Sequence, residues 1–301
     1  MANPRTELAR RLDRAVDHIE ARVDERVALG ELARIAGYSP YHFHRLFSAY
    51  MHESPAHFGR RLRIERAAAQ LLDRRSASIT DVALEARFAS SATFARAFRE
   101  RFDSSARTWR AADPRRRANA SRWTAPGSVL PEAGIDIVRS AEAIVGYIRH
   151  RGAYAGRPEL FAELFDQLRR AARSAGMWTP DAELVTVYHD APGVTAVAQL
   201  RISVGVVLSR AAFERHRAAW PAALGRLVLP ASTWIVGRFV LAPNEYPQAW
   251  NTLYAGAVGE RGLAPTGAPA LERYPRAARA ASCGRRRVDL CVPVERLAGC
   301  S

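Results

Sequence analysis

The 301-residue sequence predicts a multidomain chain. An all-α N-terminal domain holds two helix-turn-helix motifs joined by a helix. An α+β C-terminal domain follows, built from two pseudo-symmetric strand-helix-strand repeats. Three observations lead there. A pair of short helices recurs about fifty residues downstream of its first appearance. Beyond residue 135 the apolar pattern changes from helical spacing to short alternating runs. Within that second half, a helix followed by glycine and then by a strand ending in tyrosine occurs twice, eighty-six residues apart.

Composition narrows the class further. Hydrophobic residues make up 48%, with no apolar run near the length of a bilayer crossing, so a soluble chain without a membrane partner is expected. The N-terminal MANPRTELARRLDR has no apolar segment after its charges and so reads as lacking a signal peptide. The cysteines are Cys283, Cys291 and Cys300, late and odd in number. They argue against a disulfide framework and fit a reducing cytoplasm. No pair has metal-ligand spacing, so neither metal nor cofactor is expected, and Cys291 reads as a small buried hydrophobe. The net charge is +15, and all 45 basic residues are Arg. Residues 1–122 carry 24 Arg against 15 Asp and Glu, the remainder 21 against 15. Such a chain is drawn to polyanions by counterion release from phosphate backbones.

Residues 5–24 place Leu8, Leu12, Ala15, Val16, Ile19 and Val23 on one helical stripe, an amphipathic packing helix. In LGELARIAGYSPYHFHRLF (29–47), Leu29, Leu32, Ala33 and Ala36 form one face of a short helix. Gly37 ends it, and Ser39 with Pro40 opens the next, which buries Phe43, Leu46 and Phe47. Two short helices around a glycine turn, the second rich in hydrogen-bonding side chains, are the pattern of a DNA-reading helix-turn-helix. A long Ala-rich helix over about 56–72 can act as a strut. The second copy then follows. Ile79, Val82, Ala83, Ala86 and Phe88 match Leu29, Leu32, Ala33, Ala36 and Tyr38 at an offset of fifty. Phe94, Arg96, Phe98 and Trp109 match Phe43, Arg45, Phe47 and Phe58 at fifty-one. This arrangement can set two recognition helices in successive major-groove turns, about 34 Å apart.

Residues about 8–112 thereby resemble the DNA-binding domain of the AraC/XylS family of transcription regulators. AGYSPYHFHRLF, ESPAHFGRRLRIERAAAQLL and ITDVALEARFASSATFARAFRERF carry the resemblance. It implies double-stranded DNA as partner, with Tyr41, His44 and Arg45 as base-edge readers in the first unit. In the second, Arg96 is the best match, with Ser90, Ser91 and Thr93 near base or phosphate. Three positions depart from the family pattern. Arg87 stands where the second turn usually has Gly, which makes a left-handed backbone there costly. Ser91 and Ala92 replace longer polar residues, and Ser105 and Ala106 replace a customary proline. The second unit is therefore expected to position the protein on phosphates more than to specify sequence. Arg45 and Arg96 can each fork onto a guanine, worth about 1–3 kcal/mol of discrimination.

The boundaries read as 5–112 for the helical domain, 113–131 for an Arg-, Pro-, Gly- and Ser-rich linker, and 132–297 for the α+β domain. Arg115–Arg117 in the linker could add phosphate contacts. Strands are expected in IDIVRS, AIVGYIRHRG, AELVTVYHD and TAVAQLRISVGVVL, with a helix over about 157–175. RLVLPASTWIVGRFVL, a helix over about 245–260, APALERYPR and RRVDLCVPV repeat that order. YIRHRGAYAG, LPASTWIVGRF and EYPQAWNTLY…LERY…VDLCVPV resemble the GyrI-like small-molecule-binding domain of drug-sensing regulators, over about 130–295. The combined arrangement is that of Rob-like regulators. The resemblance implies a ligand cleft between the repeats, lined by aromatics, with a glutamate on the strand ending E-x-Y, here Glu272 and Tyr274. A buried carboxylate among aromatic rings calls for a charge partner, which a cationic, partly apolar effector would supply. Candidate lining residues are Tyr147, Tyr154, Trp178, Tyr188, Trp234, Trp250 and Tyr254, and Arg238 is the alternative partner for Glu272. The leading reading is a ligand-responsive transcription regulator and not an enzyme. Two alternatives stay open: a hydrolase using Glu272 and a tyrosine on a small molecule, and a ligand-free domain that contacts RNA polymerase or another partner. His150 and His189 are isolated, and no Ser/His/Asp order or phosphate-cradling glycine loop appears.

Overall fold

The structure, a computed structural model, describes residues 4–73, 77–112, 131, 134–178, 182–254, 263–275 and 284–296. It divides into two compact units, Met1–Pro114 and Arg115–Ser301.

The first unit holds α1 (Pro4–Ala21), α2 (Leu29–Ala36), α3 (Pro40–Met51), α4 (Pro55–Asp73), α5 (Ile79–Glu85), α6 (Ser91–Phe102) and α7 (Ala106–Ala112). The stripe of α1 (Leu12, Ala15, Val16 and Ile19) packs on Leu32, Ala33, Phe43 and Phe47. Ser39, Ser78 and Ser90 cap α3, α5 and α6, each hydroxyl accepting from the backbone N–H three residues on. The sequence repeat is also a repeat of geometry. Phe43 and Phe47 lie 5.4 Å apart and Phe94 and Phe98 5.5 Å; Phe58 meets Phe47 edge-on at 5.8 Å as Trp109 meets Phe98 at 5.9 Å. Between the two copies runs α4, packed against α1 and α3 at one end and against α5, α6 and α7 at the other.

The two turns share one backbone closure. The Tyr38 N–H donates to the Ala33 carbonyl at 2.9 Å and the Phe88 N–H to that of Ala83 at 3.1 Å, a six-to-one bond characteristic of a helix ending in a left-handed residue. In the first turn that residue is Gly37, φ 75°; in the second it is Arg87, φ 56°. The repeat imposes the conformation whatever the side chain, and an L-residue there costs about 1–2 kcal/mol.

The second unit is a nine-stranded antiparallel sheet of β1 (Ile135–Ser140), β2 (Ala143–Arg151), β3 (Glu183–Tyr188), β4 (Arg201–Leu208), β5 (Gly225–Leu229), β6 (Ser232–Leu241), β7 (Leu263–Pro265), β8 (Ala270–Tyr274) and β9 (Arg286–Arg296). The strand order is β1-β6-β9-β8-β3-β4-β2-β5, with β7 on β9. Two residues connect β1 to β2 and two connect β5 to β6, although each pair straddles opposite ends of that order. The sheet must therefore curl until its ends approach, and Val145, Tyr147, Val187, Trp234, Leu271 and Cys291 fill the inside.

The helices cover the outside. α8 (Pro158–Ser174) lays Leu160, Leu164 and Leu168 on Ile202, Val204 and Val206 of β4. α10 (Tyr246–Asn251), with Leu253 just beyond, covers Ile235, Phe239, Leu290 and Val292. β3 with β4 and β8 with β9 repeat at an offset of eighty-six: Ile202, Val204, Val206 and Leu208 stand for Val288, Leu290, Val292 and Val294.

Several local expectations shift. The second repeat's helix ends at Asn251 in place of about 260. Thr252–Tyr254 continue as a π turn, and 255–262 lie outside the described residues. Val197–Gln199 form a 3₁₀ turn, so β4 starts at Arg201. A short helix not anticipated from the sequence, α9 (Arg210–His216), is capped by Ser209 and buries Phe213. Arg115–Arg117, most of the linker, Cys283 and Cys300 lie outside the described residues; Cys291 is a buried free thiol on β9. Among the described residues, no helix is long and apolar enough to cross a membrane.

Replacing Arg87 by Gly should stabilise the helical unit by about 0.5–1 kcal/mol, the relief of the left-handed strain less the added freedom of the unfolded chain. Urea unfolding of the two proteins measures this, and an unchanged or lowered midpoint would contradict it.

Candidate functional site

On α3, Tyr41, His44 and Arg45 occupy i, i+3 and i+4 and share one exposed face. The Arg45 guanidinium donates to the Tyr41 hydroxyl at 3.1 Å and lies 5.8 Å from the centre of its ring. Tyr41, 65% exposed, thus props the arginine outward. At an offset of fifty-one, α6 presents Ala92, Ala95 and Arg96 on the equivalent exposed face. Arg96 has no aromatic prop, since Ala92 stands where Tyr41 would be. Ser90 and Thr93 are used locally: the Ser90 hydroxyl caps α6 by accepting from the Thr93 N–H at 3.1 Å and lies 3.0 Å from the Thr93 hydroxyl. Ser91 is exposed in the first turn of α6.

The second group of residues gathers on the outer side of the sheet, between α8 and α10, where β3 pairs with β8. Glu272 is 3% exposed. Its Oε1 accepts from the Tyr188 hydroxyl at 2.8 Å and from the Trp250 indole at 3.3 Å; its Oε2 accepts from the Tyr274 hydroxyl at 2.5 Å. Around it, Tyr154 lies 5.6 Å from Tyr188, Trp250 5.9 Å from Tyr188 and 6.0 Å from Tyr254, and Phe165 5.5 Å from Tyr274. The carboxylate forms the floor. The rings of Tyr188, Trp250 and Tyr274 are only half-buried and Tyr254 is exposed, so the walls reach solvent where the floor does not.

Burial raises the Glu272 carboxyl above the usual carboxylate range, and the three donors pull against that shift. The Tyr188 and Tyr274 phenols are pushed well above their ordinary value, first by burial and then by the nearby Glu272. Both therefore remain protonated donors at neutral pH. Each hydrogen bond to an ionised carboxylate is worth about 1.5–3 kcal/mol. Among the described residues, the side chains bonded to Glu272 are all neutral, so the site offers a cation an acceptor lined by ring faces.

Of the nine residues expected to line the cleft, Tyr154, Tyr188, Trp250, Tyr254, Glu272 and Tyr274 come together. Tyr147 and Trp234 do not: strand alternation turns both into the curled sheet, where the Trp234 indole donates to Ser140 Oγ at 2.8 Å. Trp178 packs at the edge of the α8 cluster beneath Arg169. Arg238 is not the partner of Glu272; it lies on the inner face and pairs with Asp136. Four contributors escape a reading of the sequence. Phe161 and Phe165 belong to the α8 stripe yet face Tyr154 and Tyr274. Tyr246 stands near enough to Glu272 for the carboxylate to raise its phenol, after burial. Thr186, directly opposite Glu272 in the β3–β8 register, places its hydroxyl 3.1 Å from that of Tyr274. Among the described residues, no group of three or more His, Cys, Asp or Glu could hold a metal ion.

Comparison with known proteins gives two family matches. Residues 32–112 match the family described as "Helix-turn-helix domain", and residues 134–295 the one described as "GyrI-like small molecule binding domain". The HTH-type transcriptional regulator GbdR of Pseudomonas aeruginosa is 38% identical over 92 residues, 31% of this chain and 25% of GbdR. The chain thus spans about a quarter of the length of that curated relative. YbfP of Bacillus subtilis, also described as an HTH-type transcriptional regulator, is 31% identical over 93 residues, 30% of each chain. A crystal structure of a transcriptional regulator (AraC-type DNA-binding domain-containing proteins) from Chromobacterium violaceum is 33% identical, covering 34% of this chain and 89% of that one, with a TM-score of 0.32.

The raised carboxyl of Glu272 makes a pH prediction whose sign is fixed. Its contribution to stability is fully present below the ordinary carboxylate pKa and is lost as pH rises through the higher folded value. The stability difference between the wild type and Glu272→Gln should therefore be most favourable to the wild type in acid and shrink toward neutral pH. A pH series of urea unfolding curves tests it; a difference that is flat or grows with pH would contradict it.

Proposed function

The chain belongs to the GyrI-like small molecule binding domain family and carries an AraC-type helix-turn-helix domain ahead of that domain, and on that footing we propose that it is a transcription regulator that reads double-stranded DNA and responds to a cationic, aromatic small molecule held at Glu272. The observation that carries the ligand reading is the buried carboxylate whose bonded side chains, among the described residues, are all neutral: Tyr188, Trp250 and Tyr274. A buried charge is costly without a counter-charge, and a cation entering along the rings supplies one while stacking on them.

DNA reading rests on the exposed faces of α3 and α6. Tyr41, His44 and Arg45 form a three-residue reading face, and Arg96 stands nearly alone on its own. Sequence preference is accordingly carried mostly by the first motif, and the second anchors the chain on the duplex. Arg45→Ala should weaken binding to a selected DNA site by about 10- to 100-fold, matching about 1–3 kcal/mol, and leave random DNA much less affected. Arg96→Ala should do the same in a smaller measure. Equal losses on selected and random DNA would reduce either residue to a phosphate contact.

The ligand reading is tested on the full chain with tetraphenylphosphonium as probe, by calorimetry. Wild-type affinity should rise with pH through the folded pKa of Glu272, because a cation needs the ionised carboxylate. Glu272→Gln should lower affinity about tenfold or more and flatten the pH dependence. Unchanged affinity in the variant would remove the role of Glu272. Recovery of the probe or of other aromatic cations intact supports sensing, and a converted product would support catalysis. Any effect of the ligand on DNA binding equals its difference in affinity between two states of the chain.

A further inference from the structure

A line of charge, buried at Arg61 and Glu65, nearly so at Glu53 and partly exposed at Arg101, runs through the helical unit. Glu53, in the turn after α3, accepts a fork from Arg61 of α4: Nη2 to Oε1 at 2.7 Å and Nε to Oε1 and Oε2 at 2.9 and 3.2 Å. Arg61 Nη1 donates to Oε2 of Glu65, one turn further along α4, at 3.0 Å. Arg101, in the last turn of α6, donates to the other oxygen of Glu65 from Nη2 at 2.6 Å and Nε at 3.0 Å. The side chains of Arg61 and Glu65 are each 6% exposed and that of Glu53 10%. The chain of ions therefore starts just past the helix that bears Tyr41, His44 and Arg45, crosses the strut, and ends on the helix that bears Arg96.

We infer that this Glu53–Arg61–Glu65–Arg101 chain fixes the separation and angle of α3 and α6, so that Arg61, Glu65 and Arg101 act as positioning residues that decide which spacing of two DNA half-elements the protein accepts. The inference rests on the proposal that both helices read DNA. The buried residues of α6 are Phe94, Ala97 and Phe98, and apolar packing of this kind is non-directional; it holds the helix in place but tolerates small rotations. Charge-assisted bonds from two N–H groups of one planar guanidinium to one carboxylate are directional and do not. Buried ion pairs contribute little net stability compared with apolar replacements, and their best-attested use is to specify one arrangement among several. A flanking pair, Arg60 to Glu100 at 2.9 Å, is exposed and adds little.

The test uses the full chain. DNA sites are selected from a random pool with the wild type, and the two half-elements of the selected site are then respaced by one base pair in either direction, a shift of about 3.4 Å and a tenth of a turn. The wild type should lose at least tenfold in affinity on respacing. Arg101→Met, which keeps the stem and drops the fork, should bind the original spacing within about threefold of the wild type and show less than a threefold penalty for respacing. Arg101→Lys, which keeps charge without the fork, should fall between and guards against a folding defect in the first variant. Thermal melting is run on both to establish that they fold. A folded Arg101→Met or Arg101→Lys that keeps the full wild-type spacing penalty overturns the inference, as does a loss of binding that is equal at every spacing. A wild type that enriches no sequence overturns the DNA-reading proposal, and this inference falls with it.

Discussion

The pairing of β3 with β8 is the constraint on which the C-terminal unit depends. Each repeat alone is a small twisted sheet with one helix on its outer side. The antiparallel seam between these two strands, together with the exchange of β1 onto β6 and of β5 onto β2, merges them into a single surface, and at the seam the two helices stand on either side. In that register Thr186 faces Glu272, and the two positions are also equivalent by the eighty-six-residue repeat. The pseudo-two-fold axis therefore passes between them. Tyr188 and Tyr274, equivalent as well, reach the same carboxylate from either side of it. Everything proposed about ligand binding follows from this one seam.

Much of the architecture was legible in the residues because repetition is visible without coordinates. Nine matched residue types at offsets of fifty and fifty-one in the N-terminal half correspond to ring pairs that agree to within about a tenth of an ångström. The eighty-six-residue spacing anticipated two equivalent tyrosines at the ends of β3 and β8. What stayed hidden is information that lives between strands. Alternation says that Tyr147 and Trp234 each point to one face, yet nothing local says that their face is the closed inside of a curled sheet. Glu272 was singled out by the family resemblance, which places a glutamate on the strand ending E-x-Y. That Arg238 would turn inward to Asp136 depends on the register of β6 against β1, which a sequence does not carry.

In the helical unit the balance between repetition and divergence differs. The cores of the two motifs are nearly interchangeable, down to the left-handed residue in the turn. Arg87 adopts the conformation of Gly37 because the helix end and the carbonyl it must satisfy are the same. The outward faces diverge: Tyr41, His44 and Arg45 against Ala92, Ala95 and Arg96. Burial constrains shape, and shape was kept. Exposed positions are free of that constraint, so they are where the two copies could take on different work.

Two separate copies of one half, assembled as a symmetric dimer, would place identical residues at the axis. A glutamate there would bring a second one face to face with it in a buried spot, and two such carboxylates cannot both carry charge. A threonine in both halves would leave no charge at all. In a single chain positions 186 and 272 are independent, and here they differ: Thr186 faces Glu272, an acid against a hydroxyl at the centre of an otherwise matched framework. The difference breaks a symmetry that the backbone still displays, so the two sides of the site are not interchangeable.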